Sequence, residues 1–589
     1  MDADRPEVVC PPAQPRGRLA WRTLAALASV APGASVLFVV VFLLYPLASI
    51  LALGLAPLGA AGWAGLLALV EQTDLAGLVA FTAGQALLSS VLTLLAGLPA
   101  SYVFARFDFP GKSLLRSLLT IPFVMPTVVV ATAFVALIGS GGLLDRLTSA
   151  LLGPGAPEVN LMRTLPAVIL AHVFYNVSVI VRIVGGFWSN LDPRLGEAAT
   201  VLGAGRLRAF RLVTLPLLLP AILAASMLVF AFCFTSFGVV LILGGPRLAT
   251  MEVEIYRQAI YLFNLPAAAF LSLVQLALTA AIMAVYSRVQ ARASRPLNLK
   301  ASRATQRRPA TPGQWTAVVA VAGGTTLCLA LPLLVLAASS LLTSAGPGLD
   351  YWLGLFRDVR QSIFYAPPPL AIRNSLLFAS ATVVLSLLIG VPAAYLMAGG
   401  AGPRRPGLVA APAQRAASGI MEMLFLLPLG TSAVTLGFGF IIALDRPPLD
   451  LRGSALLIPI AHTLVALPLV TRTLLPALRG MNPRWREAAG MLGASPWQVW
   501  REIDLPIVAR AALVAAAFAF AVSLGEFGAT SLLTRPDLPT LPIVIFSYLG
   551  QPGEMNHGQA LAMGTLLMLV CGAGLVAIER FRPAGLGEF

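Results

Sequence analysis

A carboxylate inside an apolar run is the first group in this sequence that could do chemistry. Ser523-Leu-Gly-Glu526-Phe-Gly528 buries an acid among aliphatic and aromatic neighbours, and an acid at membrane depth is costly enough to mark a substrate or ion path. Two readings stay open for Glu526: a group on a translocation pathway, or a buried acid that hydrogen-bonds a neighbouring helix or sits near the outer surface. Its counterpart in an internal repeat is Ser236, so an acidic site would be one-sided and would suit a cation better than an anion. The three histidines, His172, His462 and His557, are too few for a histidine-rich metal path, and His172 and His462 are expected to satisfy local hydrogen bonds. Cys10, Cys233, Cys328 and Cys571 show neither CxxC nor metal-ligand spacing, so they read as small apolar filler, and no metal site is expected. No cluster of His, Asp, Glu or Cys stands at catalytic spacing, so a transport role is expected rather than an enzyme.

The second constellation lies between apolar runs and occurs twice. At an offset of 290 residues (172 to 462) Ala171-His172 pairs with Ala461-His462, Arg182 with Arg472, and Pro193-Arg194 with Pro483-Arg484. The match continues without a gap: Glu197-Ala198-Ala199 with Glu487-Ala488-Ala489, Leu202-Gly203-Ala204 with Leu492-Gly493-Ala494, Leu215-Pro216 with Leu505-Pro506, and Phe237-Gly238 with Phe527-Gly528. Each loop reads as two short helices joined by a bend. Asp192-Pro193 and Asn482-Pro483 put a capping side chain before a first-turn proline. Gly203 and Gly493 supply a residue able to take positive φ and end that helix, and Ser495-Pro496 starts another. Leu215-Pro216 and Leu505-Pro506 are expected to open the next membrane helix. A loop with this much local order is expected to bind something.

The elements that must position these groups belong in a bilayer. The chain has 589 residues, 58% of them hydrophobic and 11% charged, where a soluble protein carries roughly 25% charged residues. Twelve apolar runs long enough to span are expected near 31–53, 79–104, 115–138, 164–186, 216–243 and 266–286, and then 316–342, 374–398, 420–444, 454–476, 506–533 and 558–578. The first is too long for a signal-peptide core, so it reads as a retained span. The net charge of +15 is a matter of topology, not of nucleic acid. Alternate gaps are basic, with Arg106, Lys112 and Arg116, then Arg194, Arg206, Arg208 and Arg211, then Arg404, Arg405 and Arg415, then Arg479, Arg484, Arg486 and Arg501. The opposite gaps are neutral, mixed or acidic, holding Glu71, Asp74, Asp145, Glu158, Asp350, Asp358, Asp445 and Arg446 among others. Basic short loops stay inside, so both termini and both repeated loops are expected in the cytoplasm. The resulting fold class is all-α: two parallel six-helix repeats, since six spans separate equivalent positions. The expected domains are a cytoplasmic segment 1–30, a first membrane domain 31–287, a basic linker 288–315 lying against anionic headgroups, and a second membrane domain 316–582.

The spacing Glu-Ala-Ala, three residues, Gly, nine residues, an aliphatic residue (Val213 or Ile503), one residue, Leu-Pro resembles the EAA loop of binding-protein-dependent ABC importer permeases. The resemblance implies a type I importer fold in which Glu197 and Glu487 are polar anchors for a cytoplasmic ATPase. The paired alanines allow its close approach, and Gly203 and Gly493 set the bend. Two ATPase copies, an extracytoplasmic solute-binding protein and the lipid bilayer are the implied partners, in the plasma membrane of a prokaryote. No cofactor is expected in this chain, since Gly111-Lys112-Ser113 lacks the first glycine of a phosphate loop, position 106 being Arg; ATP and Mg belong to the ATPase. Ala171-His172-Val-Phe-Tyr-Asn176, Cys233-Phe-Thr-Ser-Phe237, Leu243-Gly-Gly-Pro246 and Thr250-Met-Glu-Val-Glu254-Ile-Tyr256 are similar to the thiamine permeases. Gly525-Glu-Phe-Gly528 with Thr540-Leu-Pro542 is similar in style to both thiamine and ferric-iron permeases. Thiamine or ferric iron is the implied substrate, with polyamine, sulfate or molybdate as alternatives; iron would pass between carboxylate or hydroxyl oxygens. A secondary transporter or channel is the alternative class, but it should show inverted repeats and several intramembrane ionisable groups.

Overall fold

Apolar sequence without period-2 alternation forms helix almost throughout. The computed structural model describes residues 31–153, 157–293, 305–357, 367–398, 412–445, 447 and 449–581. Segment 1–30 with Cys10, the linker core 294–304, Asp358, Arg404, Arg405 and Arg446 lie outside the described residues. The first half comprises α1 (Ala31–Gln72), α2 (Leu75–Arg106), α3 (Lys112–Val124), α4 (Thr127–Ile138), α5 (Leu165–Asn190), α6 (Arg194–Val201), α7 (Arg206–Phe234), α8 (Met251–Tyr256) and α9 (Leu265–Ala293). The second half follows with α10 (Pro312–Ser339), α11 (Pro368–Met397), α12 (Pro412–Gly430), α13 (Ala433–Ala443) and α14 (Leu457–Arg479). It ends with α15 (Pro483–Met491), α16 (Trp497–Gly525), α17 (Gly528–Leu533), α18 (Leu541–Leu549) and α19 (Glu554–Phe581).

Among the described residues eleven helices are long and apolar enough to cross a bilayer, the third being Thr127–Leu152, in which α4 is followed by the short helix Leu143–Leu152, and the bent pair α12–α13 makes a twelfth crossing if counted as one. The chain is a multi-pass, all-α membrane protein. Two expected spans differ from their reading. The run expected at 115–138 is broken between α3 and α4, where Met125 and Pro126 both stand at ψ 140°, because a residue before proline is pushed out of the helical region. The run expected at 420–444 bends by 99° between α12 and α13, where Ser432 leaves the helical region and its hydroxyl accepts from the Thr435 N–H at 3.2 Å. Hydropathy alone does not register such breaks.

The two halves are interlocked. α1 lies between α9 of its own half and α13 of the other, and α10 lies between α19 of its own half and α4 of the other. Ser35 on α1 donates to the Ile389 carbonyl on α11 at 2.9 Å, and the Phe42 and Phe440 rings approach to 6.4 Å. Within each half the tightest seam is α2 on α5, matched by α11 on α14. The end of the basic linker is pinned to the first half: Arg307 bridges Phe107, with Asp108 N–H on the Arg307 carbonyl and Arg307 N–H on the Arg106 carbonyl, each at 3.0 Å.

Candidate functional site

Each repeated loop folds as an elbow. Asp192 accepts from the Arg194 N–H at 3.1 Å and Asn482 from the Arg484 N–H at 3.0 Å, starting α6 and α15. Gly203 and Gly493 take φ of 90° and 82°. The Ala204 N–H then reaches back to the Ala199 carbonyl and Ala494 N–H to Ala489, both at 3.0 Å, the six-to-one bond that closes a helix on a left-handed residue. In the second elbow Ser495 and Gln498 exchange side-chain-to-backbone bonds at 2.8 and 3.3 Å, a reciprocal cap.

Leu215-Pro216 and Leu505-Pro506 open the regular α-helical part of each fifth span, with proline in its first turn, but a helix has already started before them, at Arg206 for α7 and at Trp497 for α16, and no separate cap stands there. Instead a single wide turn, Phe210–Thr214 and Trp500–Asp504, precedes each Leu-Pro, with Leu215 N–H on the Phe210 carbonyl and Leu505 N–H on the Trp500 carbonyl. A proline ring clashes with the carbonyl four residues back in a regular helix, and the wide turn gives it room.

Glu197, Ala198, Glu487 and Ala488 are exposed and Ala199 and Ala489 half-buried. Two apolar residues at the tip of each elbow stand free, Val201 and Leu202 at 87% and 88% exposure and Met491 and Leu492 at 85% and 88%. The sequence reading missed these tips as a feature, although Leu202 and Leu492 lay within its repeat match. A groove at the second elbow is lined by Trp485, Ala488, Ala489, Leu492, Ile503 and Pro506. The elbow is held to the base of α16 by Arg486 on buried Asp504 at 2.8 Å.

The interior groups are anchored by the histidines. His172 Nδ1 lies 3.1 Å from Ser89 Oγ and its Nε2 lies 2.9 Å from Ser236 Oγ. His462 Nδ1 lies 2.7 Å from Ser523 Oγ and its Nε2 lies 2.8 Å from Thr530 Oγ1 and 3.4 Å from a Glu526 carboxylate oxygen. His172 thus ties the second span, through Ser89, to Ser236 just beyond the fifth span, whereas His462 ties the fifth span itself, through Ser523, to Thr530 beyond it. Glu526 is buried, and its carboxylate accepts from the Ala529 and Thr530 N–H groups at 2.8 and 2.9 Å and from the Thr530 hydroxyl at 2.5 Å. It caps α17. Glu526→Ala would orphan those donors, and a loss of about 1–3 kcal/mol is expected, read as a lower midpoint of thermal unfolding in detergent.

Two further acids are buried, Glu252 and Glu254 in Thr250-Met-Glu-Val-Glu254-Ile-Tyr256, where the sequence reading gave them no role of their own. Glu252 accepts from Gln275 at 2.7 Å and, across the seam between halves, from Ser432 at 2.5 Å. Glu254 pairs with Arg257 at 2.8 Å. The helices that follow the fifth spans are both capped from the second span of their half: Thr82 accepts from the Met251 N–H at 3.1 Å and Ser375 from the Leu541 N–H at 2.8 Å.

The family model for the binding-protein-dependent transport system inner membrane component matches residues 97–295 and again 406–582. The chain belongs to this family. Both matches contain an elbow, so the permease module is present twice in one polypeptide, and the chain is a transport permease. A thiamine transport system permease protein of Brucella abortus is 28% identical over 83% of this chain and 85% of its own length. Proteins of the same description from Haemophilus influenzae and Escherichia coli are 26% and 25% identical, over 93% and 85% of this chain and 95% and 88% of theirs.

Proposed function

We propose that this chain is the permease subunit of an ATP-driven thiamine importer, with both elbows in the cytoplasm. One copy of a separate ABC ATPase docks on each elbow, ATP and Mg2+ are held there, and a binding protein delivers the solute on the other side. The observation that carries this reading is the pair of equivalent elbows. Each offers an exposed Glu-Ala-Ala face and two bare apolar tip residues on a helix fixed by a glycine at positive φ. Exposed apolar pairs of this size mark a docking surface rather than a solvated turn. Closure of the ATPase dimer would move the elbows together, and because each is continuous with a fifth span through its wide turn, the spans would tilt.

Thiamine is supported by the relatives above and by the charge of the interior. Among the described residues the buried ionisable side chains include Glu252, Glu254 and Glu526, while no Lys or Arg is fully buried. Such an interior favours a cation and opposes sulfate or molybdate. In proteoliposomes holding the chain with its ATPase and binding protein, labelled thiamine is expected to accumulate with ATP and not without it. Accumulation of ferric iron, a polyamine, sulfate or molybdate in place of thiamine would overturn the substrate assignment.

A further inference from the structure

Equivalent residues of two repeats can touch only where the internal two-fold axis passes between them. Phe237 and Phe527 do so: their rings stack with centroids 5.5 Å apart and planes 25° from parallel. Each has an edge-on neighbour, Tyr256 against Phe237 and Phe546 against Phe527, both at 5.4 Å and 64°. Tyr256 and Phe546 are themselves equivalent, so four rings form one symmetric column through the seam. The central pair is buried, at 7% and 2% exposure.

The surroundings hold this column in place from both halves. Phe237 follows Ser236, which His172 holds, and Phe527 follows Glu526, which His462 and α17 hold. The flanking rings ride on α8 and α18, the helices capped by Thr82 and Ser375. The broken third span meets the same place, since a Cβ on Gly238 would lie 2.7 Å from Thr127 and 3.2 Å from the Phe527 ring.

We infer that the Phe237–Phe527 pair is the closed gate of the translocation path and the element that selects a planar aromatic cation. A solute crossing between the halves must part these rings. A flat ring in van der Waals contact with both faces needs about 3.5–4.0 Å on each side, so the faces must separate to about 7–8 Å, a modest widening of the present stack. The incoming ring replaces the contact that opening breaks. A positive charge on it meets the electron-rich faces of both phenyl groups and is attracted, while an anion is repelled by the same faces. The selectivity part rests on the thiamine reading; the gate part does not.

Two pairs of substitutions in the ATPase-bound complex, reconstituted in liposomes, separate these parts. With Phe237→Ala and Phe527→Ala and no ATP, trapped labelled choline is expected to escape at least tenfold faster than from wild-type vesicles. Vesicles as tight as wild type would overturn the gate, and the single Phe→Ala changes serve where the double variant does not assemble. Phe237→Leu with Phe527→Leu keeps an apolar plug and is expected to stay tight. Its ATP-driven thiamine uptake is expected to fall at least tenfold in kcat with an unchanged KM for the loaded binding protein, and Phe→Tyr at both positions is expected to restore it. Uptake by the Leu pair at the wild-type rate would overturn selection by stacking. Choline escape needs neither thiamine nor binding protein. A wild-type complex that takes up no thiamine therefore refutes the substrate reading while the gate is still judged on escape.

Discussion

A chain carrying Glu197→Lys together with Glu487→Lys is expected to insert normally and to retain none of its ATPase through purification. Both glutamates are exposed on short surface helices, so neither reversal disturbs a packed interior. The cost within the helix is small: Glu197 lies in the first turn of α6, where an acid is favourable by about 0.3–1 kcal/mol. The effect falls on docking, where a new lysine stands one helical turn from the bare tip residue Val201 or Met491. Because the two elbows engage one ATPase dimer, each single variant keeps one attachment and loses only the benefit of holding both. The double variant is expected to lose more than about tenfold beyond either single one. Affinity purification of tagged permease, with ATPase measured in the eluate, checks this. A normal amount of ATPase with the double variant would refute docking at the elbows.

The elbows were legible because their information is local. Asp192-Pro193, Asn482-Pro483 and the glycines at 203 and 493 are start and stop signals acting over a few residues, and their duplication separates them from chance. The spans were legible for a similar reason, since hydropathy needs only a window. What failed was what depends on backbone angle or on a distant partner. The breaks at Met125–Pro126 and Thr431–Ser432 lie inside runs apolar enough to pass as continuous. At Leu215-Pro216 and Leu505-Pro506 the proline does stand in the first turn of α-helix, but the wide turns before it, which join it to a helix already begun, leave no mark in the sequence.

Glu526 shows a partial failure with a usable signal. An acid followed three and four residues later by Ala529 and Thr530, after a glycine that ends a helix, is a capping pattern. An isolated charge in an apolar run signals cost, while the local donors that offset it at Ala529 and Thr530 are backbone groups carried by every residue type. Phe237 and Phe527 were matched as repeat partners and given no role, since their meeting requires knowing that the two halves face one another at that depth. The asymmetry between the halves follows from the same geometry. Glu252, bonded to Ser432, is replaced at the symmetric place by Pro542, and Glu526 is replaced by Ser236. Glu252 and Glu526 thus both stand beside the break at Ser432, Glu252 through the Ser432 hydroxyl and Glu526 through Gly528, whose Cβ position lies 3.0 Å from Ala433.

Gly525→Val is expected to abolish uptake while leaving ATPase attachment intact. Gly525 ends α16, and a Cβ there would lie 2.8 to 3.2 Å from three atoms of Pro126, one of them the backbone Cα, across the seam between halves. A ring locked in the backbone cannot rotate away as a flexible side chain would, so the two halves must move apart or the end of α16 must shift. Overpacking of this kind costs about 1–3 kcal/mol, and here the strain is placed one residue from Glu526 and two from Phe527. The clash therefore displaces the ring stack before it unfolds the protein, and uptake is expected to fall more than about tenfold at a temperature where the variant is still folded. Gly324→Val is the control, because a Cβ at Gly324 has nothing within 4 Å; its effect should be limited to the few tenths of a kcal/mol, roughly, by which valine favours helix over glycine. Size-exclusion profile, ATPase co-purification and uptake measured on the same preparations separate the outcomes. Wild-type uptake by Gly525→Val would mean that the contact between Pro126 and the end of α16 is slack during transport, and that the seam between the halves does not need to close tightly there.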